Sequence, residues 1–146
     1  MVIRAADESD LPAVRRLLES QHLPLDGIDE HVSTMVVATH ANAVVGAAAV
    51  ELYADGALLR SVVVDSGVQG QGLGHRLTEA ALSIAQHGGL HTAFLLTTTA
   101  ERFFPKLGFE QITRDEVPTS VQASVEFQSA CPASAVAMRK RLDEMR

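Results

Sequence analysis

The stretch QGQGLG, residues 69–74, lies between a predicted strand that ends at Val64 and the helix with the strongest apolar periodicity in the chain. Its glycines allow the backbone to turn tightly and to come close to a ligand. Unpaired amides at the start of the following helix point towards such a ligand, and the helix dipole favours negative charge there. The stretch therefore predicts an anion-binding turn, with a pyrophosphate as its natural ligand.

Two commoner phosphate-binding motifs do not match this turn. The Walker motif of NTPases requires a Lys followed by a Ser or Thr after its last glycine, whereas His75 and Arg76 follow Gly74. The dinucleotide motif, if started at Gly70, would place its third glycine at His75. The sequence therefore disfavours an NTPase and a Rossmann-type dinucleotide site.

Strands and helices alternate along the chain on both sides of the turn. The helix that begins at Leu73 carries an apolar stripe and ends at Gly88 and Gly89. Residues 117–128 match both helical and strand spacing, and we favour a helix with Pro118 in its first turn. The other predicted elements are strands at residues 2–5, 34–39, 44–53, 57–64, 92–99, 109–113 and 134–139, a helix that begins near residues 7–10, a helical turn within 23–31 and a short helix over 100–106.

A tight hairpin is predicted between the strands at 44–53 and 57–64. Asp55 and Gly56 form a dipeptide that favours the two central positions of such a turn. With that turn, Glu51 lies opposite Arg60 on the paired strands. Tyr53 then shares their face of the sheet.

Length, composition and charge indicate one globular domain with a small-molecule partner. The chain has 146 residues, 47% of them apolar and 21% charged, which suits a single domain over residues 1–146. The 12 basic residues are scattered and outnumbered by 18 acidic ones, giving a net charge of −6. This distribution argues against a nucleic-acid or membrane-surface partner.

Cysteine and histidine content favours a reducing compartment and no metal. Cys131 is the single cysteine, so it forms neither an internal disulfide nor a paired zinc ligand. The six histidines have no metal-ligand spacing. Charged residues occupy the N-terminus, and the apolar runs have only strand length. We therefore expect a cytoplasmic protein that does not span a membrane.

The glycine-rich turn resembles the pyrophosphate loop of the GCN5-related N-acetyltransferases, whose pattern is Q/R-x-x-G-x-G/A. Gln69, Gly72 and Gly74 match that pattern. The family's preceding strand and its A-x-x-F-Y-x-x-x-G-F segment are matched, at the right spacing, by Val62, Val64, Ala100, Phe103, Gly108 and Phe109. More narrowly, the chain resembles the small acetyltransferases of arsenic-resistance operons through Glu51, Tyr53, Asp55, residues 58–61 and 95–99, Phe103, Phe104, Cys131, Pro132, Ser134 and Ala135.

The resemblance implies a three-layer α/β fold whose central sheet is mixed, mostly antiparallel and six- or seven-stranded, with helices on both faces. It also implies direct transfer of the acetyl group from acetyl-CoA, as cosubstrate, to a small primary amine. The pantetheine would insert where strands 57–64 and 92–99 splay apart. A homodimer is left open. The residues then expected to contact CoA are Val62, Val63, Val64, Gln69, Gly70, Gln71, Gly72, Leu73, Gly74, Thr97 and Phe104, with Thr97 in place of a frequent asparagine.

Glu51 is the first candidate for the group that removes the proton of the amine. A carboxylate on a covered sheet face needs a reason to be there, and proton transfer is one. A cross-strand salt bridge with Arg60 is an equally weighted alternative. Arg60 could also bind a substrate carboxylate, with Tyr53 lining the same pocket, and an amino-acid-like acceptor would follow.

Phe104 stands where many members of the resembled family have a tyrosine that protonates the leaving CoA thiolate. A weaker acid, a water molecule, Cys131 or Thr99 would then supply the proton, although a lone cysteine before a proline is more often a buried small apolar residue. The histidines, including His31, His40 and His75, are interpreted as surface or capping residues. Two competing hypotheses are a catalytically silent acyl-CoA-binding module and a small nucleotide-binding regulator.

Overall fold

A computed structural model of the chain describes residues 1–98, 102–124, 127 and 135–143. In this part of the chain, seven strands form one sheet in the order β1-β2-β3-β4-β5-β7-β6. Neighbouring strands are antiparallel except β4 and β5, which are parallel, so the predicted mixed and mostly antiparallel sheet is confirmed. The strands are β1 (Val2–Ala5), β2 (Met35–His40), β3 (Ala43–Tyr53), β4 (Gly56–Val64), β5 (Thr92–Thr97), β6 (Glu110–Ile112) and β7 (Val136–Arg141).

The α-helices among the described residues are α1 (Leu11–Ser20), α2 (Leu73–His87) and α3 (Thr119–Gln122). Within the predicted helix over 100–106, the described residues contain the start of a 3-10 turn at Phe104–Leu107, which Gly108 ends at φ 95°. Within the predicted helix 117–128, the described residues contain only the single turn of α3. No helix in the described part of the chain has the length and apolar character needed to cross a membrane.

Helices cover both faces of the sheet, which explains the nearly continuous apolar sequences of β2, β3 and β4. On one face, α2 packs on alternate residues of the central strands, including Ala48, Val50 and Leu59. On the other face, α1 packs on the intervening residues, such as Ala47 and Ala49. The segment that includes Val117 and Val121 covers the β4 and β5 end of that second face. The three layers are thus formed as predicted.

The β3–β4 hairpin differs from its predicted register by two residues. Tyr53 pairs with Gly56 and Glu51 pairs with Leu58, so the turn consists of Ala54 and Asp55. Gly56 lies within β4 because a Cβ at this position would come within 2.7 Å of the Phe94 ring on β5. Close packing between neighbouring strands therefore overrides the local turn preference of the Asp55–Gly56 dipeptide.

A bulge in β4 separates the part that pairs with β5 from the part that does not. Residues 61–62 together oppose the single residue Ala48 of β3, and Ser61 adopts φ 59°. Such a bulge bends its strand and increases the local twist. The parallel pairing of β4 with β5 is confined to Ala57–Ala93 and Leu58–Phe94. Beyond these pairs the two strands diverge and a cleft opens between them.

Asp10 links β1 to the start of α1, and its ionisation should make the stability depend on pH. Its buried carboxylate accepts hydrogen bonds from Arg4 at 2.8 and 2.9 Å and from the Asp7 amide at 2.9 Å. The hydrogen bond from Arg4 lowers the pKa of the Asp10 carboxyl below its ordinary value. The folded state therefore favours the ionised form, and this stabilisation is present above the ordinary pKa of about 3.9 and is lost as the pH falls through the lowered value.

We expect Asp10→Asn to lower the free energy of unfolding at pH 7 by roughly 1–2 kcal/mol, because charge-assisted hydrogen bonds at a helix start are lost. The difference from the unmodified protein should narrow as the pH falls below about 4. Urea unfolding at pH 7 and at pH 3 measures both quantities. A difference that stays constant with pH would show that the ionisation of Asp10 makes no contribution.

Candidate active site

The cleft between β4 and β5 is a cavity of about 630 Å³. Its walls are formed by β4, β5, the glycine-rich turn, the start of α2 and the aromatic residues before β6. Gln71 is exposed and does not lie on the wall. The residues predicted to contact CoA that do line the cavity are Val62, Val63, Val64, Gln69, Gly70, Gly72, Leu73, Gly74, Thr97 and Phe104.

The edge of β4 that faces the cleft presents backbone hydrogen-bonding groups. The Asp65 amide donates to the Val45 carbonyl at 2.8 Å, so the amide and carbonyl of Val64 point away from β3. The Val64 carbonyl accepts hydrogen bonds from the side-chain amides of Gln21 at 2.6 Å and Gln69 at 3.0 Å. An extended ligand with amide groups can pair with such an edge as an added strand does.

The glycine-rich turn has the backbone geometry of an anion-binding site. Gly70 and Gly72 adopt φ 85° and 79°, and Gly72 is the N-cap residue of α2. A Cβ at either position would meet no heavy atom within 4 Å, so both face open space. A Cβ on Gly74 would come within 3.2 Å of the Phe103 ring, which shows how closely α2 approaches the aromatic wall. The first amides of α2 therefore remain accessible to an anion.

Two aromatic rings fix the position of Phe104 on the cavity wall. Its ring contacts Phe103 and Phe109 edge to face, at centroid distances of 5.0 and 5.7 Å. Phe104 is only 6% exposed. Because phenylalanine has no acidic proton, this part of the wall provides no proton donor at position 104. The alternative donors Cys131 and Thr99 lie outside the described residues.

A buried polar cluster lies on the sheet face opposite α2. Glu51 and Arg60 are 2% and 3% exposed, and Arg60 Nη1 donates to Glu51 Oε2 at 2.8 Å. The Tyr53 hydroxyl donates to Glu51 Oε1, and Arg60 Nε donates to Ser61 Oγ at 3.1 Å. The predicted contact between Glu51 and Arg60 is therefore present although the register differs. Arg60 lies opposite Ala49, which shares a sheet face with Glu51, and the two side chains meet diagonally.

The three predicted residues of this cluster have different access to the cavity. Arg60 lines the cavity wall, whereas Glu51 and Tyr53 are not among its lining residues. Arg60 is therefore the residue of these three that adjoins the cavity, although its side chain is buried. Arg60 in turn connects Glu51 to Ser61, the residue of the bulge at which the cleft begins.

His31 is the member of the cluster that the sequence did not predict. Its Nε2 lies 3.1 Å from Glu51 Oε2, and its side chain is 24% exposed. The interpretation of His31 as a surface or capping residue is therefore wrong, whereas His40 and His75 are exposed as expected. The sequence contains no signal for this contact, because the segment before β2 meets β3 only through the folded sheet. The described residues include no group of three or more His, Cys, Asp or Glu side chains that could hold a metal ion.

Comparison with known proteins identifies related sequences. The family model of the acetyltransferase (GNAT) domain matches residues 31–111, a region that contains His31, Glu51, Arg60 and the glycine-rich turn. The amino-acid acetyltransferase of Mycobacterium tuberculosis is 30% identical over 152 aligned positions, which cover 97% of this chain and 84% of that protein.

Solved structures show the same fold over nearly the whole chain. N-acetylglutamate synthase from Neisseria gonorrhoeae, complexed with coenzyme A and N-acetyl-glutamate, has a TM-score of 0.83 and 25% identity. The match covers 97% of this chain and 35% of that protein, so the chain spans about one third of the synthase. The M. tuberculosis protein Rv2747, in complex with CoA and NLQ, has a TM-score of 0.81 and 27% identity, with 97% and 99% of the two chains covered.

Proposed function

Since the chain belongs to the acetyltransferase (GNAT) family, we propose that this acetyl-CoA-dependent N-acetyltransferase acts on the α-amine of a small amino acid. The observation that carries the proposal is Arg60, which is one of the residues that line the cavity and whose buried guanidinium lies beside the carboxylate of Glu51. A guanidinium binds a carboxylate in a two-pronged geometry, and an amino acid supplies one next to its amine. The names of the M. tuberculosis and N. gonorrhoeae relatives support the same acceptor class.

Acetyl-CoA would occupy the cavity with its pyrophosphate on the amides of residues 69–74. The positive φ angles of Gly70 and Gly72 and the open space above them support this placement. The pantetheine would follow the free edge of β4 at Val62–Val64, where one of the glutamine amides on the Val64 carbonyl would give way to it. Its thioester would then lie near the β4 bulge and Arg60.

The reaction requires removal of a proton from the amine, which arrives mostly protonated near neutral pH. Glu51 would accept that proton through a water molecule, since Glu51 does not line the cavity. The amine nitrogen attacks the thioester carbon, the C–N bond forms, the C–S bond breaks and CoA leaves as a thiolate. The nitrogen gives up its second proton and the thiolate takes up one, so each turnover of an ammonium substrate releases one net proton.

Arg60→Met tests the acceptor class. We expect the KM for amino acids to rise about 10- to 100-fold, while the KM for amines without a carboxylate changes little, because only the former lose a charge-assisted contact. CoA release measured with amino acids and with their decarboxylated analogues gives the KM for each of these two substrate types. Arg4→Met is the matched control, since it removes the partner of the buried Asp10 carboxylate far from the cavity. An equal loss with both substrate types, or a loss of stability alone, would assign Arg60 to a structural ion pair.

Phe104→Tyr should raise kcat roughly two- to tenfold, because it adds a hydroxyl at the cavity wall where the CoA sulfur is expected. Phe109→Tyr is the control, as Phe109 packs in the same aromatic group but does not line the cavity. Steady-state kinetics with acetyl-CoA measures both variants. If the two variants change kcat equally, the effect arises from aromatic packing and position 104 has no role in protonation.

An arsenic-containing acceptor is the second candidate, and it rests on the narrower resemblance to acetyltransferases of arsenic-resistance operons. A panel of L- and D-amino acids, amines, and phosphorus and arsenic analogues of amino acids compares the two candidates through CoA release. The highest kcat/KM should be found with an L-amino acid. A higher value with an arsenic analogue would favour the narrower resemblance instead.

A further inference from the structure

The Glu51 carboxylate is in contact with three polar side chains, and His31 is one that the proposed function does not use. Arg60 and His31 both contact Oε2, at 2.8 and 3.1 Å, while Tyr53 contacts Oε1. We infer that His31 is a positioning residue, which orients the Glu51 carboxylate so that Oε1 receives the proton of the amine. This inference rests on the proposed function, in which Glu51 is the proton acceptor.

The two oxygens of Glu51 have different surroundings. Carboxylate oxygens accept hydrogen bonds, so the contact with His31 is favourable when His31 Nε2 carries a hydrogen. Oε2 lies within 2.8 Å of Arg60 and 3.1 Å of His31, whereas Oε1 accepts only from Tyr53 among the described residues. Oε1 therefore keeps a position that can take up a proton.

The backbone around His31 fixes its ring towards β3. His31 lies in the 3-10 segment Ile28–Thr34, where its φ of −118° and ψ of 17° interrupt the helical conformation. The Thr34 hydroxyl donates to the carbonyl of Val50, the residue directly before Glu51, and lies 3.3 Å from the His31 carbonyl. The segment that carries His31 is thus hydrogen-bonded to β3 at Val50, one residue before Glu51.

Loss of His31 should change the orientation of Glu51. Arg60 is buried against the carboxylate at 2.8 Å, and this contact does not require His31. Without His31, one position on Oε2 is open and the carboxylate can rotate about its contact with Arg60. A misplaced catalytic group lowers kcat strongly even when the substrates still bind, because proton transfer depends on geometry. We therefore expect an effect on kcat and little effect on the KM for acetyl-CoA.

A double-mutant cycle with His31→Ala and Glu51→Gln tests the inference. In the unmodified background, His31→Ala should lower kcat about 10- to 100-fold and change the KM for acetyl-CoA less than about twofold. In the Glu51→Gln background it should cause no further loss, because a residue that acts through Glu51 has no effect once that carboxylate is absent. Equal losses in both backgrounds, or an unchanged kcat in the first, would overturn the inference.

Two further variants keep the test independent of folding. His31→Gln places an amide N–H near the position of Nε2 and should restore most of kcat, whereas the shorter His31→Asn should not. Equal activity of these two variants would contradict a positioning role. His91→Ala removes an exposed histidine from a pair with Asp143 at 2.8 Å, does not change the cavity lining and should leave kcat unchanged. If the unmodified protein acetylates no amino acid, the proposed function fails first and this inference with it.

Discussion

Replacing Gly72 by valine should lower the affinity for CoA at least about 100-fold. Gly72 adopts φ 79°, a conformation that costs a β-branched residue roughly 1–2 kcal/mol. The added side chain would also occupy the open space in front of the first amides of α2, where the pyrophosphate is proposed to bind. Isothermal titration calorimetry with CoA and with acetyl-CoA measures the loss.

Gly89→Val is the matched control for Gly72→Val. Gly89 has a similar φ of 87° and the same absence of heavy atoms within 4 Å, but it follows the other end of α2 and does not line the cavity. Both variants should lose a similar amount of stability, and only Gly72→Val should lose CoA binding. If a folded Gly72→Val protein kept the parent affinity, the pyrophosphate would not bind at this turn.

Glu51→Gln should lower kcat about 100- to 1000-fold at neutral pH, because a general base contributes an effect of this size. The deficit should shrink as the pH rises, since more of the amine is then already deprotonated. Initial rates at saturating acetyl-CoA and amino acid, measured across a pH series, give this dependence. Thermal unfolding of each sample shows how much of the protein is folded.

Asp10→Asn is the matched control for Glu51→Gln, because Asp10 is also a buried carboxylate that is hydrogen-bonded to an arginine. Asp10 precedes α1 and does not line the cavity, whereas Gln21, at the other end of α1, does. Its variant should lose stability and keep its activity per folded molecule. The same behaviour of Glu51→Gln would show that Glu51 forms a structural ion pair and is not the base.

Local sequence predicted the glycine-rich turn and the elements on either side of it, because these features depend on neighbours along the chain. The glycines of residues 69–74, the start of α2 at Leu73 and the preceding strand all belong to one continuous segment. Glycine at positive φ and an apolar helical stripe are signals that such a segment carries by itself. The cavity wall at Val62–Val64 followed from the same segment.

The polar cluster depends on distant parts of the chain and was predicted only in part. The contact between Glu51 and Arg60 was predicted correctly, but the hairpin turn was not. The turn consists of Ala54 and Asp55, because Gly56 packs against Phe94 within the sheet. His31 contacts Glu51 from the segment before β2, and no residue spacing in the sequence predicts this contact. The role predicted for Cys131 falls outside the described residues and remains a prediction.

Quantification of the products with acetyl-CoA and a set of L-amino acids tests the central claim most directly. Mass spectrometry of the N-acetylated amino acid, together with a thiol assay for CoA, gives both products of one reaction. We expect an L-amino acid to yield N-acetyl product and CoA in equal amounts, with a rate that Glu51→Gln reduces about 100- to 1000-fold. Binding of acetyl-CoA without acetylation of any amino acid in the set would contradict the proposed function.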